Sequence, residues 1–190
     1  YMLKLFKENF GLDESIKTAA IGGDTDSQFI DLSAITSWLR QQKPDLPKHI
    51  HNWPKTWKQK LWDVTNGLVQ EKINPYVRNL VKEYCHTTQS NVLSYELEYV
   101  SSIGIYEGKK HYATRKLFNE GDMVDSVKFA GIELKKAQVP KEMKTFLAEI
   151  YDGILLHDWS EMDYVNYTNE LYNKFSSFSI DEVSFWKGYN

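Results

Sequence analysis

The chain has 190 residues, 42 % of them hydrophobic, enough to build a core and to exclude a disordered chain. A formal net charge of −3, from 26 acids against 23 Lys and Arg, excludes a surface that coats nucleic acid everywhere, though not a local basic groove. A single cysteine, Cys85, excludes an intrachain disulfide and fits a reducing compartment. No signal peptide and no run of 18 apolar residues are read, so no membrane partner is expected.

Residues 1–10 are spaced as a helix that stops at Gly11, a C-terminal cap. Residues 18–32 predict a β-hairpin. Its apolar runs, Thr18-Ala19-Ala20-Ile21 and Gln28-Phe29-Ile30-Asp31-Leu32, flank the acidic turn Gly22-Gly23-Asp24-Thr25-Asp26-Ser27. The two glycines let the backbone turn tightly and approach a ligand. Residues 33–38 begin a short helix, and Pro44, Pro47 and Pro54 forbid its continuation. From Trp57 to about Thr87 the period is 3.6, through Leu61, Val64, Leu68, Ile73, Val77, Leu80, Val81 and Tyr84. Gly67 and Pro75 bend or divide that stretch.

Residues 91–118 turn towards period 2. They predict one strand over 92–100, a second over 102–106 and a third over 111–118, with Gly108 at the bend. Residues 123–134 extend the sheet. After Pro140, Met143, Phe146, Leu147, Ile150, Tyr151, Ile154 and Leu155 form one helical stripe, and residues 161–175 form another helix. The first residues already read as helix and the last carry no terminator. The chain therefore reads as a segment of a longer polypeptide, or as one half of a split one.

Asp24 and Asp26, at i and i+2 on a tight turn, suit the capture of a divalent cation. The plainer reading is a polar turn, since Asp and Gly are good turn formers. A calcium loop fails, because its twelfth position is Ile35 where a Glu is required. Lys109-Lys110-His111-Tyr112 can meet phosphates and pack under a sugar or base, or can be a solvated basic face. Glu96 and Glu98 alternate with apolar residues on one strand face. His49 and His51 read as loop histidines without partners at metal-ligand spacing. Cys85 beside His86 reads as a packed thiol.

Together these pieces resemble the family B DNA polymerases, most closely the T-even-like phage branch. Gly23-Asp24-Thr25-Asp26-Ser27 is similar to that family's third polymerase motif, at the tip of a palm hairpin. Tyr95-Glu96-Leu97-Glu98-Tyr99-Val100 resembles the palm strand that follows. Lys109-Lys110-His111-Tyr112 is similar to the family's Lys-Lys-Arg-Tyr, with His111 where the family has Arg, and the step from Glu98 matches the family's spacing. Gly131-Ile132-Glu133-Leu134-Lys135-Lys136, followed by Pro140, resembles the segment where palm gives way to thumb. Ile73-Asn74-Pro75-Tyr76, leading to Glu83-Tyr84-Cys85, resembles the palm helix between motifs. Gly22 stands where many cellular relatives have Tyr.

The resemblance implies an α+β fragment of a right-hand polymerase. Residues 1–139 would be the C-terminal portion of the palm, an antiparallel sheet with packed helices, and 140–190 the helical start of an incomplete thumb. It implies a DNA-directed DNA polymerase that adds deoxynucleotides to a primer 3′ end by two-metal nucleotidyl transfer, inactive as this segment alone. Asp24, Asp26 and Glu98 would be catalytic, with Asp26 and Asp24 holding Mg²⁺ and two ions in the complete enzyme. Lys109, Lys110, Tyr112 and Lys136 would contact DNA, and Thr25 the nucleotide. The implied partners are primer-template DNA, deoxynucleoside triphosphates, a sliding clamp, and the exonuclease, fingers and remaining thumb, carried on this or a separate chain. The implied location is the cytoplasm, that of the host cell if a phage encodes the chain. The alternative from another class is a non-catalytic module that binds duplex DNA through residues 109–112.

Overall fold

A computed structural model describes residues 2–10, 20–23, 27–86, 89 and 93–184. The fold is α+β: several helices and a small three-stranded antiparallel sheet. The chain divides into two compact units, one formed by residues 1–102 and 117–125, the other by 103–116 and 126–190.

In the first unit, α1 (Met2–Phe10) precedes a two-stranded antiparallel ladder, β1 (Ala20–Gly23) and β2 (Gln28–Ile30). Gly23 pairs with Gln28, and a register irregularity lies between Ala20 and Gly22. Helix α2 (Ser33–Gln42) follows, and the proline-rich stretch after it holds only a 3₁₀ turn, Ile50–Asn52. The Trp53 indole N–H donates to the Pro47 carbonyl at 2.8 Å, which satisfies a polar atom that burial would otherwise orphan.

Helix α3 (Lys55–Leu68) buries Leu61, Trp62, Thr65 and Leu68, one stripe at helical spacing. The division expected near Gly67 and Pro75 is a π-helical turn, Val69–Ile73, before α4 (Asn74–Cys85). Pro75 has no N–H to offer the Glu71 carbonyl in α geometry, so a change of hydrogen-bond register here is the local remedy. The core joins Leu5, Phe6, Ile35, Leu39, Leu61 and Val69 with Val100, Leu117 and Phe118. Trp62 stacks on Phe118 with ring centroids 5.2 Å apart.

The larger sheet runs β3 (Tyr99–Gly108), β4 (His111–Asn119), β5 (Asp122–Ala130) in sequence order. Two expectations are corrected here. Residues 93–98 are not a strand, and the separate strand over 102–106 is the middle of β3. Ser101 and Ser102, both half-buried, lie within β3, so the two expected strands run on as one. At the β4–β5 turn Glu120 and Gly121 both have positive φ, 52° and 95°, the pattern of a tight primed hairpin turn.

In the second unit, α5 (Lys141–Leu156) packs Tyr151, Leu155 and Leu147 against Ile103, Ile105, Ala113, Val127 and Phe129. Helix α6 (Glu161–Phe175) pairs with α5, and a short helix α7 (Ile180–Val183) follows. Phe146, Phe175 and Phe178 form an aromatic cluster, and Trp159 meets Tyr167 at 5.1 Å. No described helix is long and apolar enough to cross a membrane.

Candidate functional site

Asp24, Thr25 and Asp26 lie outside the described residues. The strands on either side of them are described. Gly23 closes tightly on Ser27: a Cβ there would stand 2.8 Å from the Ser27 carbonyl oxygen, so only glycine fits. From β2, the Phe29 ring meets the Tyr99 ring at 6.2 Å. The hairpin that carries the acidic turn therefore packs beside the residue that follows Glu98.

Glu98 is exposed and ends the irregular segment 93–98. Its carbonyl accepts from the Glu120 N–H at 2.6 Å, which ties it to the β4–β5 turn. Three residues earlier the segment is clamped by Asn74, whose side chain is almost wholly buried. The Tyr95 N–H donates to Asn74 Oδ1 at 2.6 Å, and Asn74 Nδ2 donates to the Tyr95 carbonyl at 2.9 Å and to Gln70 Oε1 at 3.1 Å. One amide thus stands in for a missing ladder partner on both backbone groups of Tyr95. Glu96 and Glu98 owe their positions to this clamp rather than to a strand pleat. Asn74 and Tyr95 belong to separate sequence motifs, and no linear pattern shows that they bond to each other.

The basic cluster is the β3–β4 turn of the second unit. Lys109 and Lys110 are exposed and occupy the turn, and Lys110 has φ 62°, the left-handed region. A lysine there carries a Cβ penalty of about 1–2 kcal/mol. Beneath it lies Gly131, also at positive φ, 60°. A Cβ on Gly131 would overlap the Lys110 carbonyl oxygen and the His111 ring. The turn and the Gly131 bend, 20 residues apart in sequence, are therefore in direct contact. Lys136, just beyond the bend, is half-buried and ion-pairs with Glu133.

Tyr112 is half-buried on β4. Its ring stacks on Tyr106 of β3 at 5.9 Å, and Lys128 of β5 holds its ammonium 5.9 Å from the Tyr112 ring centre. Burial, then the neighbouring Tyr112 phenol, pushes the Tyr106 hydroxyl above its ordinary pKa. On the opposite face Tyr151 donates to the Glu107 carboxylate. Burial first, and then that bond, raise the Tyr151 pKa.

Two side readings change. Cys85 is exposed rather than packed, because it ends α4, where His86 turns left-handed at φ 49° and Tyr84 also faces solvent. His51 lies in a 3₁₀ turn, is buried and stacks on His49 at 5.5 Å.

Comparison with protein-family models and with curated proteins gives no match.

Proposed function

We propose that this chain is the catalytic palm segment of a template-directed DNA polymerase of the family B type, leading into the start of its thumb. The observation that carries the reading is the Phe29–Tyr99 contact, which sets the hairpin of the acidic turn against the residue after Glu98. The Asn74–Tyr95 clamp supports it, because a buried amide holds the backbone leading to Glu98. The contact between the Lys109–Lys110 turn and the Gly131 bend supports a phosphate-binding role for that hairpin.

In this reading Asp24 and Asp26 hold Mg²⁺ and Glu98 adds negative charge nearby; carboxylate oxygens are the donors this hard cation takes. Mg²⁺ held by these carboxylates would supply Lewis-acid charge for the primer 3′-hydroxyl and for the leaving pyrophosphate. Lys109 and Lys110 bind primer phosphates, Tyr112 packs against the terminal sugar, and Lys136 contacts the duplex further along. Thr25 is assigned to binding the incoming nucleotide. Nucleotide positioning falls to a fingers module, and a second metal-binding acid to an earlier palm motif.

The test is primer extension with Mg²⁺ and four deoxynucleotides, after supplying a polypeptide that carries the exonuclease, first palm motif and fingers, together with the remaining thumb. Wild type should extend and Asp26→Asn should not, while both bind DNA. The non-catalytic duplex-binding alternative is separated by Mn²⁺ binding to the chain: the palm reading expects a site lost in Asp26→Asn, and the module expects none.

A further inference from the structure

We propose that the sheet face carrying Tyr106, Tyr112 and Lys128 is a docking surface for the DNA sugar–phosphate backbone, with Lys128 as a phosphate-contacting residue. The inference deepens the polymerase reading and rests on it for the identity of the ligand.

The face is defined by alternation along each strand. Ile105, Ala113, Val127 and Phe129 pack into the core beneath α5, so their neighbours Tyr106, Tyr112 and Lys128 point the other way. The contacts agree, since Tyr106 stacks on Tyr112 and the Lys128 ammonium stands over the Tyr112 ring. The surface is partly open: all three side chains are half-buried and Gly104 is exposed.

Gly104 shapes it. A Cβ at Gly104 would come within 2.6 Å of the Tyr106 ring, so the bare glycine lets Tyr106 fold back along its own strand. The result is a stacked aromatic pair with a cation over one ring. Flat rings accept sugars and bases by stacking, and an ammonium meets a phosphate as a point charge.

Charge favours the same occupant. Residues 103–116 and 126–136 carry seven Lys and Arg against two acids, in a chain whose net charge is −3. Both acids are engaged, Glu107 by the Tyr151 hydroxyl and Glu133 by Lys136. The face is continuous with the Lys109–Lys110 turn, because Tyr112 follows that turn by two residues on β4. A strand meeting the turn would pass over Tyr112, with Lys128 the next cation along.

The experiment is fluorescence anisotropy of a labelled primer–template duplex titrated with the 190-residue chain in EDTA, over a range of salt. Lys128→Gln should weaken binding about three- to tenfold at low salt and flatten the log–log salt dependence by about one unit, the signature of one lost phosphate contact. Lys128→Arg should restore both. Gly104→Ala, which keeps every charge, should weaken binding by tilting Tyr106, with the slope unchanged.

Unchanged affinity and slope in Lys128→Gln, with binding lost in the Lys109→Ala/Lys110→Ala double variant, would overturn the docking face and leave the polymerase reading intact. Absence of duplex binding by the wild-type chain would also overturn it. The polymerase reading is judged separately, by extension in the reassembled enzyme.

Discussion

Asn74 and Lys110 show how single residues can separate folding from the proposed DNA binding. Removing the Asn74 amide strips Tyr95 of two hydrogen bonds, one of them from a fully buried donor. Tyr95 is itself exposed, so water replaces part of the loss. Asn74→Ala should therefore destabilise the protein by about 1–3 kcal/mol in urea denaturation. Lys110 and Gly131 give opposite signs. Lys110→Gly should stabilise the fold by up to about 1 kcal/mol, because the left-handed turn no longer carries a Cβ, while weakening DNA binding through the lost charge. Gly131→Ala should lower both stability and binding, since the new methyl displaces the Lys110 carbonyl. Thermal melts paired with anisotropy would show whether the two quantities part in this way. Gly131 was legible as a motif residue. Its partner was not, because nothing in a linear pattern tells which backbone a glycine lies against. Asn74 was opaque for the same reason: a polar residue between Ile73 and Pro75 reads as a helix start, and its partner lies 21 residues away.

At the level of elements, the helices were the most legible. Stripes at period 3.6 and the prolines at 54, 75 and 140 placed α3, α4 and α5 close to their observed limits. The strands were less so. Period 2 over Glu96 to Val100 is real in the sequence, yet the ladder begins only at Tyr99, because the Asn74 clamp takes the hydrogen bonds of Tyr95 before a neighbouring strand can. Helix α6 begins with a reciprocal cap. The Ser160 N–H and hydroxyl donate to Asp163 Oδ2 at 2.9 and 2.6 Å, and the Asp163 N–H donates to Ser160 Oγ at 3.3 Å. The Ser160 hydroxyl, then its N–H, hold the Asp163 pKa below its ordinary 3.8. A depressed carboxylate pKa contributes stability above the unfolded value and loses it as pH falls through the folded one. Amide exchange in the first turn of α6 should therefore quicken as pH drops below about 4, after correction for the intrinsic rate. Asp163→Asn should remove that pH response, and Ser160→Ala should cost about 1 kcal/mol at neutral pH.

For the molecule as a whole, net charge says little about how charge is placed. A net charge of −3 conceals a strongly basic hairpin and bend. The acids concentrate elsewhere, as in 160–170, which holds Glu161, Asp163 and Glu170. Duplex binding by the chain should fall steeply with salt, since phosphate contacts release counterions. Affinity that is flat between 50 and 200 mM salt, about a twofold change or less, would argue that no basic surface meets DNA. The two hydrophobic cores, one around Leu61 and Phe118 and one around Ala113 and Leu155, were visible as apolar stripes. Their membership was not, because β3, β4 and β5 each contribute residues to both units.

The π turn at Val69–Ile73 has a bearing on how this chain tolerates insertion and deletion. A π turn is one residue out of phase with the α-helix around it, and each residue of a helix advances the azimuth by about 100°. Deleting Glu71, which is exposed, would remove that surplus residue and set Pro75, which has no N–H, against an α-register carbonyl inside one helix. It would also swing Asn74 away from Tyr95. Stability should fall with no gain in helical content by circular dichroism, and Asn74→Ala added to the deletion should cost almost nothing further. In that sense the irregularity acts as a phase-setter: a single surplus residue aims one amide at one peptide.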